Sequence, residues 1–213
     1  MMTRAALALT LTLLAAALPS RGEIIDRVAA VVDGQVITLT ELNQIVELEL
    51  LLRTADESDA EYRRRVLDRM ITQLIRYRDV ERFGAEDVPA DTIEASLQRL
   101  VARYPSEAAF LEALARVELT LDQVRALIKR NQQVQRSIDE RFAPLIFVSL
   151  EEIEAHYRNV WAPARRAKGL PVPDLAAVRE EIRRDLRGDR LTREVEVWTQ
   201  QLRSRSNIDV FVY

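Results

Sequence analysis

Residue types that do chemistry are scarce in this sequence. Of its 213 residues one is a histidine, His156, and none is a cysteine. A serine nucleophile would need that histidine as its base, and no serine sits in the G-x-S-x-G turn that presents such a nucleophile. Zinc sites draw on Cys and His at close spacing, which the chain lacks. Five glycines form neither a phosphate-cradling loop nor a dinucleotide-binding fingerprint. The carboxylate pairs Glu151/Glu152 and Glu180/Glu181 could serve as general acid and base, but the first falls at a helix start and the second on a solvated helix face. His156 lies on the same polar helix as the first pair and reads as a surface residue. No catalytic residue, metal site or cofactor is expected, which leaves binding.

Apolar surface is what the chain offers for binding. The run Leu42–Leu52 reads LNQIVELELLL and, taken as a helix, carries apolar groups around most of its circumference. A helix docked on one side needs a single stripe. Two readings follow. Either this helix is central in a bundle, or its end is open, with Leu48, Leu51 and Leu52 lining a crevice shared with Leu97 and Val101 of one later helix and Phe110 and Leu114 of another. Extended segments of an unfolded protein would lay apolar side chains in such a crevice while arginines on its rim meet polar groups. Binding of that kind is sequence-tolerant and weak, of micromolar order or about −8 kcal/mol, and needs no nucleotide.

The elements that must position these residues are legible in order. Arg27–Val32 and Gln35–Thr38 are β-branched runs flanking Asp33-Gly34, a two-residue hairpin signal that tolerates positive φ at both central positions. Both faces of the first run are apolar, so both are expected to be covered. Thr38-Leu39-Thr40-Glu41 is a capping box, with Ile37 and Leu42 as its hydrophobic staple. Arg53–Asp59 is a polar break. Ala60–Phe83 is a long helix with Tyr62, Val66, Met70 and Leu74 on its inner stripe, and Gly84 is placed to end it. Helices follow over Ala90–Tyr104, over Glu107–Val117 behind Ser106, and from a second capping box at Thr120 to about Phe142, where Pro144 closes the last. A third box at Ser149 opens a helix through Tyr157. Trp161–Pro173 holds three prolines and a glycine and reads as a loop. Helix returns over Leu175–Ser204, with Gly188-Asp189 as a point of bending, and Ile208–Tyr213 alternates like a strand. A lone terminal strand needs a partner, and the hairpin is the strong candidate. The fold class is therefore mainly α, with a small β-sheet made by an N-terminal hairpin and the C-terminal strand.

Charged residues make up 31% of the chain and the formal net charge is −3. Arginines are interleaved with acids throughout, so the surface reads as solvated helix and no nucleic-acid stripe stands out. Met1–Gly22 has the anatomy of a secretory signal: Arg4 at the start, an uncharged run Ala5–Leu18, and Ser20 and Gly22 at the −3 and −1 places. That run is shorter than the roughly 20 residues a membrane span takes. The expected product is periplasmic, begins at Glu23, and has no stable membrane insertion after cleavage. With no cysteine, packing alone must hold it.

The order of elements also carries a resemblance. DRVAAVVDGQVITLTELN (Asp26–Asn43), RVLDRMITQLIRYRDVERFG (Arg65–Gly84), VSLEEIEAHY (Val148–Tyr157) and LRSRSNIDV (Leu202–Val210) together resemble the N-terminal chaperone domain of SurA-type periplasmic proteins, the parvulin-associated chaperones of Gram-negative bacteria. The likeness covers nearly all of the chain after the leader. It implies a peptide-binding domain over residues 23–160, completed by 175–213, with a fold related to the peptide-binding domain of trigger factor. In that family parvulin prolyl-isomerase domains sit between the VSxEEI helix and the closing helix. Here only Arg158–Asp174 occupies the place, with 161–174 as the Pro-rich loop, far short of the roughly 50 residues of a small domain. A parvulin site also uses paired histidines with a cysteine or aspartate, and this chain has one histidine. The resemblance thus implies an ATP-independent holdase for unfolded outer-membrane or secreted proteins. A dedicated envelope assembly or scaffold partner using the same apolar surface is the alternative, and a residual prolyl isomerase a further one. The chain could be a monomer or a dimer.

Overall fold

In this computed structural model residues 26–211 are described; the expected leader, Met1–Gly22, lies outside them. The Asp33-Gly34 hairpin forms as read. Strand β1 (Val28–Val32) pairs antiparallel with β2 (Gln35–Thr38), and Asp33 and Gly34 take φ of 49° and 83°. The chain returns at its far end to the other edge of β1. Strand β3 (Ile208–Val210) pairs antiparallel with β1, placing Val32 opposite Ile208 and Ala30 opposite Val210. Sheet order is β2-β1-β3, so the two ends of the described chain share one small sheet.

The sheet is covered on one face only. Ala30, Val32 and Ile37 are buried in a cluster with Leu42, Tyr62 and Val66, whereas Val36 on the other face is 46% exposed. The expectation of two covered faces fails because the helices pack on the Ala30–Val32 side. Ala29 escapes to full burial because the register shifts between Val28 and Ala30.

Helix α1 (Leu39–Glu47) starts from the Thr38 box, in which Thr38 Oγ1 accepts from the Glu41 N–H at 3.1 Å and the Glu41 carboxylate accepts from the Thr38 N–H at 2.8 Å. It does not run to Leu52. Glu49 turns left-handed at φ 46°, its N–H donates to Val46 O and the Leu50 N–H donates to Ile45 O, closing the helix as a glycine usually does. A glutamate in that role gives no composition signal, so the sequence does not announce this stop. Helix α2 (Asp59–Arg82) opens on a fourth box, Ser58 with Glu61, also unread.

Helices α3 (Ala90–Val101), α4 (Glu107–Arg116) and α5 (Leu121–Phe142) follow close to expectation, the last from the Thr120–Gln123 box. Pro144 lies in a 3-10 turn, and Ser149 caps α6 (Leu150–His156). The first half of the expected loop over 161–174 is helical, which corrects the reading there, while 168–174 remains non-helical. Tyr157–Trp161 forms a π turn that passes directly into α7 (Ala162–Ala167). The Ala162 N–H reaches five residues back to Tyr157 O, and this wider turn is compatible with the missing N–H of Pro163. Gly169, at φ 65°, ends the helix, and 170–174 has no regular structure before α8 (Leu175–Arg203). Gly188 and Asp189 do not interrupt α8.

Helix α8 ties the domain together. Val178 and Ile182 pack with Val148 and Ile153; Trp198 packs with Val80, Val134 and Ile138; Leu202 reaches the cluster beneath the sheet. A further cluster, Leu48 with Leu97, Phe110, Ala113, Leu114, Leu119 and Val124, joins the end of α1 to α3, α4 and α5.

Candidate functional site

The seven residues expected to line a peptide crevice divide sharply. Leu48, Leu97, Phe110 and Leu114 are 3%, 2%, 0% and 2% exposed and form the centre of one core cluster, with Val101 packed against it. These four cannot touch a client in this conformation, so the open-crevice reading of that group is corrected to a filled core. The reason is local. Ending α1 at Glu47 turns Leu48 inward, and Tyr104 then caps it, its hydroxyl donating to Leu48 O at 3.1 Å while its ring meets Phe110 edge-on. Leu51 and Leu52 are separated from that group. Leu51 packs half-buried against the cluster under the sheet, and Leu52 is 69% exposed.

Leu51 instead forms one end of a cleft of about 600 Å³ between α2 and α8, lined by Arg65, Asp68, Arg69, Thr72 and Arg76 from the first helix and Glu196, Thr199, Gln200 and Arg203 from the second. Helical spacing puts each set on one face: positions 65, 69, 72 and 76 on α2, and 196, 199, 200 and 203 on α8. The short segment that carries Leu51 is pinned over α2. The Tyr62 hydroxyl donates to Leu51 O at 2.6 Å, and Arg65 Nη2 donates to Leu52 O at 2.9 Å. Arg65 also grips Glu57 through Nε at 2.7 Å and Nη2 at 2.6 Å.

That grip, with the Thr54 N–H adding to it, holds the Glu57 carboxyl at about 2, below its ordinary 4.5. A carboxyl depressed in the folded state stabilises fully above its unfolded value and loses that contribution as pH falls toward the folded one. The melting temperature is therefore expected to fall as pH drops from about 4.5 to 2. A Glu57→Gln variant should lack this part of the decline, so the gap between the two melting curves should close across that window.

At the floor of the cleft Arg76 is 9% exposed. Its Nε and Nη2 both donate to Thr199 Oγ1, at 2.9 and 2.6 Å, and the threonine hydroxyl donates in turn to Val195 O at 2.6 Å. Burial, then the nearby Arg69, pull the Arg76 pKa below the ordinary arginine value. Arg203 spans the mouth, donating to Thr72 Oγ1 and Asp68 Oδ1, each at 2.8 Å. None of this was legible beforehand, because arginines spaced among acids along one helix look like a solvated face. Only the approach of α8 encloses them.

Other exposed apolar side chains are spread over the surface, among them Phe83 and, on the sheet, Val28, Val36 and Val210, but three fall close together where α5 leads into α6. Leu145 and Phe147 are each 76% exposed and Leu150 49%. Buried Val148 and a hydrogen bond from Arg190 to Phe147 O fix this strap to α8. Arg190 also pairs with Glu152. His156 is half-buried in the last turn of α6. Among the described residues no three acidic, histidine or cysteine side chains converge as a metal site, and no helix is long and apolar enough to cross a membrane.

No family model matches the chain. Curated relatives do. It is 31% identical over 147 residues to Chaperone SurA of Chromobacterium violaceum, covering 66% of this chain and 34% of that one. The chain carries a SurA-like domain. A 93-residue match to Chaperone SurA of Alkalilimnicola ehrlichii is 37% identical, covering 41% of this chain and 21% of the relative. Chaperone SurA of Saccharophagus degradans matches at 29% over 122 residues, covering 54% and 28%. The SurA-like domain thus spans about a third or less of the length of these relatives. Its helices, closed by a three-stranded sheet from both ends of the described chain, agree with the fold class read from the sequence.

Proposed function

We propose that the protein is an ATP-independent chaperone of the bacterial envelope that holds unfolded outer-membrane or secreted chains. The observation that carries this reading is the pinned apolar strap, with Leu145, Phe147 and Leu150 turned to solvent within six residues. Scattered single apolar residues are ordinary on a protein surface, whereas several on one rigid segment mark a place where apolar chains dock. The likeness to proteins named Chaperone SurA supports the same reading. A secretory leader over Met1–Gly22 would deliver the chain to the periplasm, where binding must work without ATP.

The test is aggregation of a denatured outer-membrane protein followed by light scattering. The SurA-like protein in molar excess should slow it, and a Leu145→Ser, Phe147→Ser double variant should slow it less while keeping its helical circular dichroism. Both side chains are exposed, so stability should shift by no more than about 0.5 kcal/mol. No suppression by the unaltered protein at molar excess overturns the proposal.

A further inference from the structure

We infer that the cleft between α2 and α8 binds a carboxylate of an extended peptide, with Arg76 at its floor and Arg69 at its mouth. The inference begins with an imbalance of charge. Arg76 is more than nine-tenths buried, yet its only hydrogen-bond acceptor among the described residues is the neutral hydroxyl of Thr199. No carboxylate lies within 4.0 Å of its guanidinium among those residues. Among them, compensation comes only from Glu196, beyond contact distance, and from the face of the Trp198 ring 5.9 Å away, whereas a charge taken out of water is ordinarily paired more closely. Thr199 uses up Nε and one N–H of Nη2, so the other N–H groups of the fork are free to donate into the cleft that Arg76 lines.

Arg69 stands two turns earlier on the same face of α2, exposed and also without an ion pair among the described residues. Its neighbours are committed elsewhere: Arg65 to Glu57, and Arg203 to Asp68 and Thr72. Two guanidinium groups without an ion pair among the described residues thus line one cavity of about 600 Å³. Planar forks of this kind match a carboxylate or a phosphate. Glu196 and Asp68 line the same cleft, and they repel a dianion more than a single negative charge. The balance favours a carboxylate.

The apolar end of the cleft says what carries it. Leu51 lines that end, and its neighbour in sequence, Leu52, is 69% exposed. A peptide would place its carboxylate on the arginines and an adjacent apolar side chain on these leucines. That the peptide belongs to an unfolded client rests on the chaperone reading; the carboxylate site itself does not.

Fluorescence anisotropy on the full-length protein tests this with one labelled ten-residue peptide ending in leucine, made with a free carboxylate, with an amidated terminus, and with an amidated terminus plus an internal glutamate. The free acid is expected to bind about tenfold tighter than the amide, the factor that one charge-assisted hydrogen bond supports. Arg69→Gln and Arg76→Gln should each remove most of that difference. Because Arg76 is buried, its variant is first checked by thermal melting; exposed Arg69 and the acid–amide comparison in the unaltered protein carry the test if it unfolds. Recovery of affinity by the internal glutamate also supports the carboxylate site and assigns its source to a side chain, whereas no recovery assigns it to the chain terminus. Equal binding of acid and amide overturns the inference, as does displacement by inorganic phosphate at concentrations where acetate has no effect. Suppressed aggregation without acid–amide discrimination would sink the carboxylate site and leave the chaperone reading intact. Discrimination without suppression would do the reverse.

Discussion

Replacing Phe110 with alanine is expected to destabilise the domain by about 3–5 kcal/mol, the range for truncating a buried aromatic ring. The ring is 0% exposed and meets Tyr104 edge-on with centroids 5.1 Å apart. Around it lie Leu48, Leu97, Leu114 and Val124, drawn from α1's end, α3, α4 and α5. Removing it leaves a cavity where these elements converge, and rigid neighbours close such a space only partly. Against a typical total of about 5–15 kcal/mol this is a large loss. Urea unfolding followed by circular dichroism should show a lower midpoint with an unchanged slope. Peptide affinity, measured where the variant is still folded, should be unchanged. A stable Phe110→Ala protein with weakened binding would restore the open crevice expected from the sequence and contradict the filled one.

The second large effect is expected at Asp33. Its N–H donates to Asn207 O at 2.9 Å, its carboxylate accepts from the Asn207 N–H at 2.7 Å, and Arg78 Nη1 donates to its other oxygen at 3.1 Å. One turn residue thus latches the hairpin to the closing strand, 174 positions away. Asp33→Ala leaves the Asn207 N–H without this acceptor and puts a non-polar residue at φ 49°, where aspartate is better tolerated. Loss of a hydrogen bond to a charged group costs about 1.5–3 kcal/mol, reduced where solvent can substitute. The diagnostic measurement is amide hydrogen exchange at Ile208–Val210, which should accelerate more than exchange within α4. Uniform acceleration would mean that the latch has no local role. Asp33→Asn keeps an acceptor and tolerates left-handed backbone, so it should recover part of the loss.

The latch at Asp33 rests on local turn chemistry, whereas the core around Phe110 rests on packing between distant elements. Asp33-Gly34 announced its turn because two positive φ angles in succession restrict the residues that fit. The pairing of β3 with β1 followed from a lone apolar strand that needed a partner. The Thr38, Thr120 and Ser149 caps were legible because helix starts satisfy their backbone N–H groups with side chains three positions apart. The ends at Glu49 and Glu118, both left-handed without glycine, gave no such signal. The prolines near 163 misled in the opposite direction, since a π turn absorbed one of them into helix.

Local chemistry therefore determined the elements, their order, and the likeness to a SurA-type domain, because turns, caps and apolar periodicity act over a few residues. Which surfaces stay open was decided by tertiary packing alone. Leu48 and Leu114 sit in strongly apolar stretches whether they face a client or each other, and only the turn at Glu49 and the docking of α4 sent them inward. Arg69 and Arg76 look like solvated charge until α8 lays Thr199 and Arg203 across them. Burial and electrostatic pairing depend on distances between residues far apart in the chain, 66 positions for Leu48 and Leu114 and 123 for Arg76 and Thr199, and no local pattern encodes those distances.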